Sequence, residues 1–325
     1  MPLPRILGGI DPLVRLLLLA IVLATFLPVT APWRPLAQGI SNAAIFVLFL
    51  LNGLRLPRHE VWQGIGHWRF LVPLTLWCFG VMGGVGWALS QLGHAWLPPT
   101  VALGLLFLGV LPSTVQSAPA YSSLGGGNVA VSVVAAAVLN ILGVFLSAPL
   151  FAFAAGGAAP PFDWSALERL ALILLLPFVL GQLAQARAGH LVREHRLLTT
   201  WMDRSSIAIA VYVAFSGAVE QGLWTKMAWH DWAGLVALVI VFLAIGFGGA
   251  WWLSGALGLE RRDRISFLFS GAQKSIALGA PLASVLFPPA VAGLILLPVL
   301  TYHLLQLVLS APLAQRLTRG SPPLP

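Results

Sequence analysis

Gly271-Ala272-Gln273-Lys274-Ser275-Ile276-Ala277-Leu278-Gly279-Ala280-Pro281 decides how this 325-residue chain is read. The stretch sits inside an apolar run, so hydropathy puts Lys274 at lipid depth. A charge at the centre of a membrane helix costs roughly 2.5–3.5 kcal/mol on insertion scales, so it must face a cavity or a partner. The flanking Gly and Pro predict a helix that breaks here, which is how secondary transporters build binding sites. Gln273, Lys274 and Ser275 are therefore the first candidate site residues.

Composition around that stretch fixes the class. Of the residues 58% are hydrophobic and 9% charged, against about 25% charged in a soluble domain. The expected fold is all-α and integral to the membrane, with the lipid bilayer as its medium. Ten apolar spans are predicted, at about 12–30, 36–54, 68–91, 99–118, 128–153, 165–186, 204–221, 231–257, 265–287 and 290–314. Their short connections predict one polytopic membrane domain over 1–325, with no soluble module. The single cysteine, Cys78, excludes an intramolecular disulfide and most thiolate metal sites. A net charge of +8 raises the question of nucleic acid, but the arginines lie in short loops and form no basic face interleaved with aromatics.

The arginines set orientation instead. With the N-terminus inside, the cytoplasmic side carries Arg5, Arg15, Arg55, Arg58, Arg69, Arg187, Arg193, Arg196, Arg204, Arg261, Arg262, Arg264, Arg316 and Arg319, 14 of 18 basic residues. The other side has Arg34, Arg169 and Lys226. Ten spans with both termini cytoplasmic preserve this split. The first span imitates a secretory signal, but Pro32 directly after Thr30-Ala31 argues against cleavage. Most of the 13 tryptophans, among them Trp33, Trp68, Trp96, Trp229 and Trp232, read as interfacial anchors.

Two halves, about 12–155 and 165–315, hold five spans each. An odd number per half makes any repeat an inverted one. The fourth span carries Pro112-Ser113-Thr114-Val115-Gln116-Ser117-Ala118-Pro119, the counterpart of the ninth-span stretch. Paired interrupted segments of this kind point to a binding site. Two prolines and Gly125-Gly126-Gly127 rule against a continuous helix from Pro112 to Asn128. Freed carbonyls, with Ser and Asn oxygens, suit a hard cation such as Na⁺, and half-helix N-termini suit an anion. Gln116, Ser117, Asn128, Ser132 and Asn140 gather there as candidates, although the three glycines alone are equally a simple turn.

Lys274 has three readings: a protonated amine where a cation would otherwise sit, a titrating group that couples transport to protons, or a structural lysine bonded to broken-helix carbonyls. His303 and Gln306 lie one helical turn apart on the tenth span, either touching the site or gluing helices together. Asn42 has the same two readings, and Asp203 suits the start of a helix. The chain has no His-Glu-x-x-His, no P-loop and no cluster of intramembrane carboxylates. Proteolysis, ATP-driven pumping and acid-rich cation exchange thereby lose their obvious chemistry, and no enzyme is expected.

The chain resembles the sodium/bile-acid symporter family, in its SBF-like branch. The matching stretches include Asn52-Gly53-Leu54-Arg55-Leu56, Leu111-Pro112-Ser113-Thr114-Val115 onward to Gly127-Asn128, Asn140-Ile141-Leu142-Gly143-Val144 and Leu176-Pro177-Phe178-Val179-Leu180-Gly181-Gln182. Asp203-Arg204-Ser205-Ser206-Ile207, Val211-Tyr212-Val213-Ala214-Phe215-Ser216, 270–287 and Tyr302-His303-x-x-Gln306 complete them. The resemblance implies ten transmembrane helices as two inverted five-helix repeats. Helices one, two, six and seven would form a panel, and three to five with eight to ten a core, with discontinuous helices four and nine crossed.

It further implies cation-coupled symport of a small organic anion by alternating access. Ser117, Ser132, Asn140 and Gln273 would be the possible Na⁺ ligands. Phe269 replaces a glutamate of relatives, and Lys274 an asparagine, so at most one Na⁺, or H⁺ instead, is expected. No cofactor and no obligate protein partner is implied. The alternative is a non-concentrative or channel-like regulator of ion homeostasis. The expected location is a bacterial cytoplasmic membrane, since 16 Arg against 2 Lys suggests a GC-rich genome.

Overall fold

A computed structural model describes residues 11–55, 66–156, 168 and 171–319. Arg5, Arg58, Arg169 and the start of the sixth predicted span lie outside the described residues. Among the described residues every regular element is helical. In chain order they are α1 (Pro12–Phe26), α2 (Arg34–Arg55), α3 (Trp68–Gly93), α4 (Pro99–Gly109), α5 (Ser117–Leu124), α6 (Val129–Ala155) and α7 (Leu176–Glu194). Next come α8 (Arg196–Glu220), the short α9 (Leu223–Lys226), α10 (Trp229–Ala256), α11 (Arg261–Ala272), α12 (Ile276–Leu286) and α13 (Pro289–Arg319). Six described helical stretches are long and apolar enough to cross a membrane: Ala31–Arg55, Trp68–Gly93, Val129–Ala155, Ala171–Val192, Trp229–Ala256 and Ala290–Thr318. This is a multi-pass, all-helical membrane protein.

Local chemistry explains the boundaries. Asp11 caps α1 through Leu13 N at 2.7 Å, with Pro12 in the first helical position. Asn128 caps α6, accepting from Val131 N at 3.3 Å. Asp231, three residues into α10, accepts from Ala228 N at 2.8 Å. Gly126 has φ 78°, in the left-handed region that glycine tolerates, and Gly127 N donates to Ser122 O at 2.7 Å. The triple glycine is thus a turn between α5 and α6, the simpler of its two readings. Prolines also widen helices: a π-helical turn over Leu76–Val81 comes after Pro73 in α3, and another over Ala171–Leu175 precedes Pro177.

The chain falls into two compact units. One holds α1, α2, α7, α8 and α9 with Ala280–Leu294. Within it, Gly53 on α2 meets Gly181 on α7 backbone to backbone, and Gln182 Nε2 donates to Gly53 O. Arg55 pairs with Asp203, and Arg34 with Glu220. The other unit holds α3 to α6, α10, α11 and most of α13. There a Cβ on Gly86 of α3 would lie 2.7 Å from Leu105 O on α4, and one on Gly109 2.7 Å from Met82 O. Only glycine permits that approach. It brings the end of α4 against α3, where the candidate site begins.

Candidate functional site

Two interrupted helices build the site. The first leaves α4 after Gly109 and resumes as α5 at Ser117; the second leaves α11 after Ala272 and resumes as α12 at Ile276. Pro112 has no N–H to continue the first helix. Gln273 is extended (φ −82°, ψ 144°), which ends the second. The two breaks bond to each other, with Ser275 N donating to Pro112 O at 2.9 Å. Ser275 then starts α12, its carbonyl accepting from Gly279 N at 2.9 Å and its hydroxyl from Leu278 N at 3.3 Å.

Lys274 is 1% exposed. Its ammonium donates to Cys78 O at 2.9 Å and to Gly109 O and Leu111 O at 2.8 Å each. An ammonium has three N–H donors, so all are engaged. Gly109 and Leu111 offer carbonyls because α4 ends there, and the end of a helix carries negative partial charge. Cys78 lies in the π-helical turn of α3. Among the described residues no carboxylate pairs with Lys274, so its charge is balanced by dipoles alone.

Gln273 is fully buried. Its Oε1 accepts from Thr114 Oγ1 at 2.7 Å and Ser117 Oγ at 2.6 Å, and its Nε2 donates to Ser310 Oγ at 3.0 Å. Thr114 Oγ1 also accepts from Ala118 N at 2.9 Å, capping α5. Side chains from other helices take up the backbone carbonyls that the second break frees. Trp77 Nε1 donates to Gly271 O at 3.1 Å, Tyr302 OH donates to Ala272 O, and Gln306 Nε2 donates to Lys274 O at 3.1 Å. Gln306 Oε1 accepts from Lys274 N at 2.8 Å, so one amide brackets the Lys274 backbone. His303 Nδ1 lies 2.9 Å from Gln306 Nε2.

Of the residues singled out in the sequence, Ser117, Gln273, Lys274, Ser275 and His303 come together at the breaks. Asn140 Nδ2 holds Ser113 O of the first break at 2.8 Å. Ser132 Oγ pairs with Ser270 Oγ at 3.2 Å. Asn128 is committed to capping α6 and to Asp263 Oδ1 at 2.9 Å. Gln116 is exposed and makes no side-chain cap. Among the four possible Na⁺ ligands, Ser117 and Gln273 meet directly. Thr114, Ser310 and the Cys78 and Gly109 carbonyls were not singled out. Thr114 lay inside the quoted fourth-span block, but its hydroxyl matters only because the helix breaks just before it. Among the described residues no group of three or more His, Cys, Asp or Glu could hold a metal ion, so any cation here meets neutral oxygens.

A model of the SBF-like CPA transporter family matches residues 11–319. An uncharacterized protein of Pseudomonas aeruginosa is 36% identical over 304 residues, covering 93% of this chain and 91% of its own. The Escherichia coli protein named "Putative symporter YfeH" is 36% identical over 314 residues, covering 95% and 93%. "Sodium/bile acid cotransporter 7" of Rattus norvegicus is 22% identical over 305 residues, covering 84% and 81%.

Proposed function

Because this chain belongs to the SBF-like CPA transporter family, we propose that it is a secondary active carrier of a small organic anion, working by alternating access. One observation carries the reading: two broken helices bonded to each other around a buried ammonium that no carboxylate among the described residues neutralises. A positive interior beside half-helix N-termini favours an anionic guest. The ammonium acts on that guest through its field, since its hydrogens are already engaged.

The same geometry bears on coupling. Lys274 fills a cage of three carbonyls that would otherwise suit a bound cation, so at most one Na⁺ is carried, at the Thr114, Ser117 and Gln273 oxygens, or H⁺ replaces it. Setting aside the short α9, the order of three helices, a broken helix and a long helix occurs twice, which supports ten spans in two inverted repeats. One compact unit holds α1, α2, α7 and α8 together, which supports a panel of those helices, although Ala280–Leu294 of the expected core falls in the same unit. The arginine distribution and the bacterial relatives support a cytoplasmic-membrane carrier with both termini inside.

Counterflow in proteoliposomes tests the reading, using labelled taurocholate and a panel of small carboxylates and sulfonates. A carrier exchanges labelled for unlabelled anion; a channel-like regulator does not. Sodium stimulation with a Hill coefficient near two would overturn the single-cation assignment.

A further inference from the structure

We propose that His303 and Gln306 form a positioning pair that holds the break of the ninth span in register, with the neutral imidazole of His303 setting the orientation of the Gln306 amide. The bonding pattern leaves one consistent assignment. Lys274 N is a donor, so the Gln306 atom it reaches at 2.8 Å is the oxygen. The other end is then NH₂, which donates to Lys274 O at 3.1 Å and has one hydrogen left for His303 Nδ1 at 2.9 Å. An accepting Nδ1 requires the proton on Nε2. His303 is 4% exposed and Gln306 fully buried, so water does not substitute for these bonds.

Protonation of His303 puts an N–H at Nδ1, facing the N–H of Gln306. The two donors separate, or the amide flips. A flip sets oxygen against Lys274 O and nitrogen against Lys274 N, and both brackets are lost. The titratable groups in the surrounding seam are committed elsewhere: the Lys274 ammonium to three carbonyls, Tyr302 OH to Ala272 O, and Cys78 Sγ to Ser270 O at 3.7 Å. Acid therefore loosens the break through His303.

Cys78, the sole cysteine, is a native reporter. It is fully buried and its carbonyl receives the Lys274 ammonium. The full chain in detergent is alkylated with a maleimide across a pH series from about pH 7.5 down to about pH 5.5. Each rate is divided by that of the SDS-denatured protein at the same pH. The expected result is a normalised rate that rises about tenfold with acid, the effect of losing the bracketing hydrogen bonds. His303→Asn keeps an acceptor in place of Nδ1 without titrating, and should label slowly at every pH. His303→Leu and Gln306→Leu should label fast at every pH, with thermal unfolding confirming that each variant is folded. Equal pH profiles for wild type and His303→Asn would overturn the proposal, as would a folded His303→Leu that labels as slowly as wild type. The assay reads conformation alone, so its outcome is independent of any transported anion.

Discussion

Arg55 and Lys274 are both cations withdrawn from water, yet the protein balances them in opposite ways. Arg55, at the end of α2, faces the carboxylate of Asp203 on α8, with side chains 28% and 5% exposed. Lys274, 1% exposed, donates to three backbone carbonyls and, among the described residues, to no carboxylate. An ion pair cancels its own charge and leaves little field beyond its contact. A carbonyl cage supplies the hydrogen bonds but leaves a full positive charge inside the protein. The first arrangement fastens two helices. The second fastens a crossover and also leaves it able to attract an anion.

Lys274→Met tests that difference most severely. It removes the charge and strands three buried carbonyls, each costing about 1–3 kcal/mol when unpaired. Counterflow should vanish, and thermal unfolding in detergent should shift down by several degrees; retained full flux would break the comparison. Asp203→Asn strands Arg55, but that guanidinium is partly exposed, so about 1–2 kcal/mol is expected rather than the 3–5 of a fully buried pair. Flux should persist, and adding Arg55→Met should recover much of the loss in denaturation measurements. Thr114→Val removes one donor to Gln273 and the cap of α5, for about 1 kcal/mol, and should weaken the cation dependence of uptake. Ser132→Ala deletes one interhelical hydrogen bond, worth about 0.6 kcal/mol, and should barely move either readout.

Hydropathy made the helices and both interruptions legible, because Pro112, Gly271 and Lys274 violate the pattern of an apolar span. Six of the ten predicted intervals hold described helical stretches long and apolar enough to cross a membrane, and helices also lie in the other four, among them the short apolar α1 and α4. The hidden part is the part that residue identity does not encode. The partners of Lys274 are carbonyls, and every residue has one. Cys78 offers its carbonyl from a π-helical turn, and Gly109 because its helix stops. Trp77 is buried and bonded to Gly271 O, whereas Trp33, Trp68, Trp96 and Trp229 are exposed as interfacial anchors should be and Trp232 is half-buried. The grouping of Asn128 with the crossover rested on adjacency in the chain. Three-dimensionally its amide is spent on a cap and on Asp263.

The wide turn over Leu76–Val81 gives α3 a surplus residue relative to ordinary winding. Deleting one position there would restore ordinary winding and close the wide turn, while the segments on either side keep their register. The acceptor at Cys78 would turn away from its amine while the hydropathy profile scarcely changed. Spacing along one rod is thus dictated by a side chain 196 positions further on, and homologous sequences should tolerate exchanges in this segment far better than gaps.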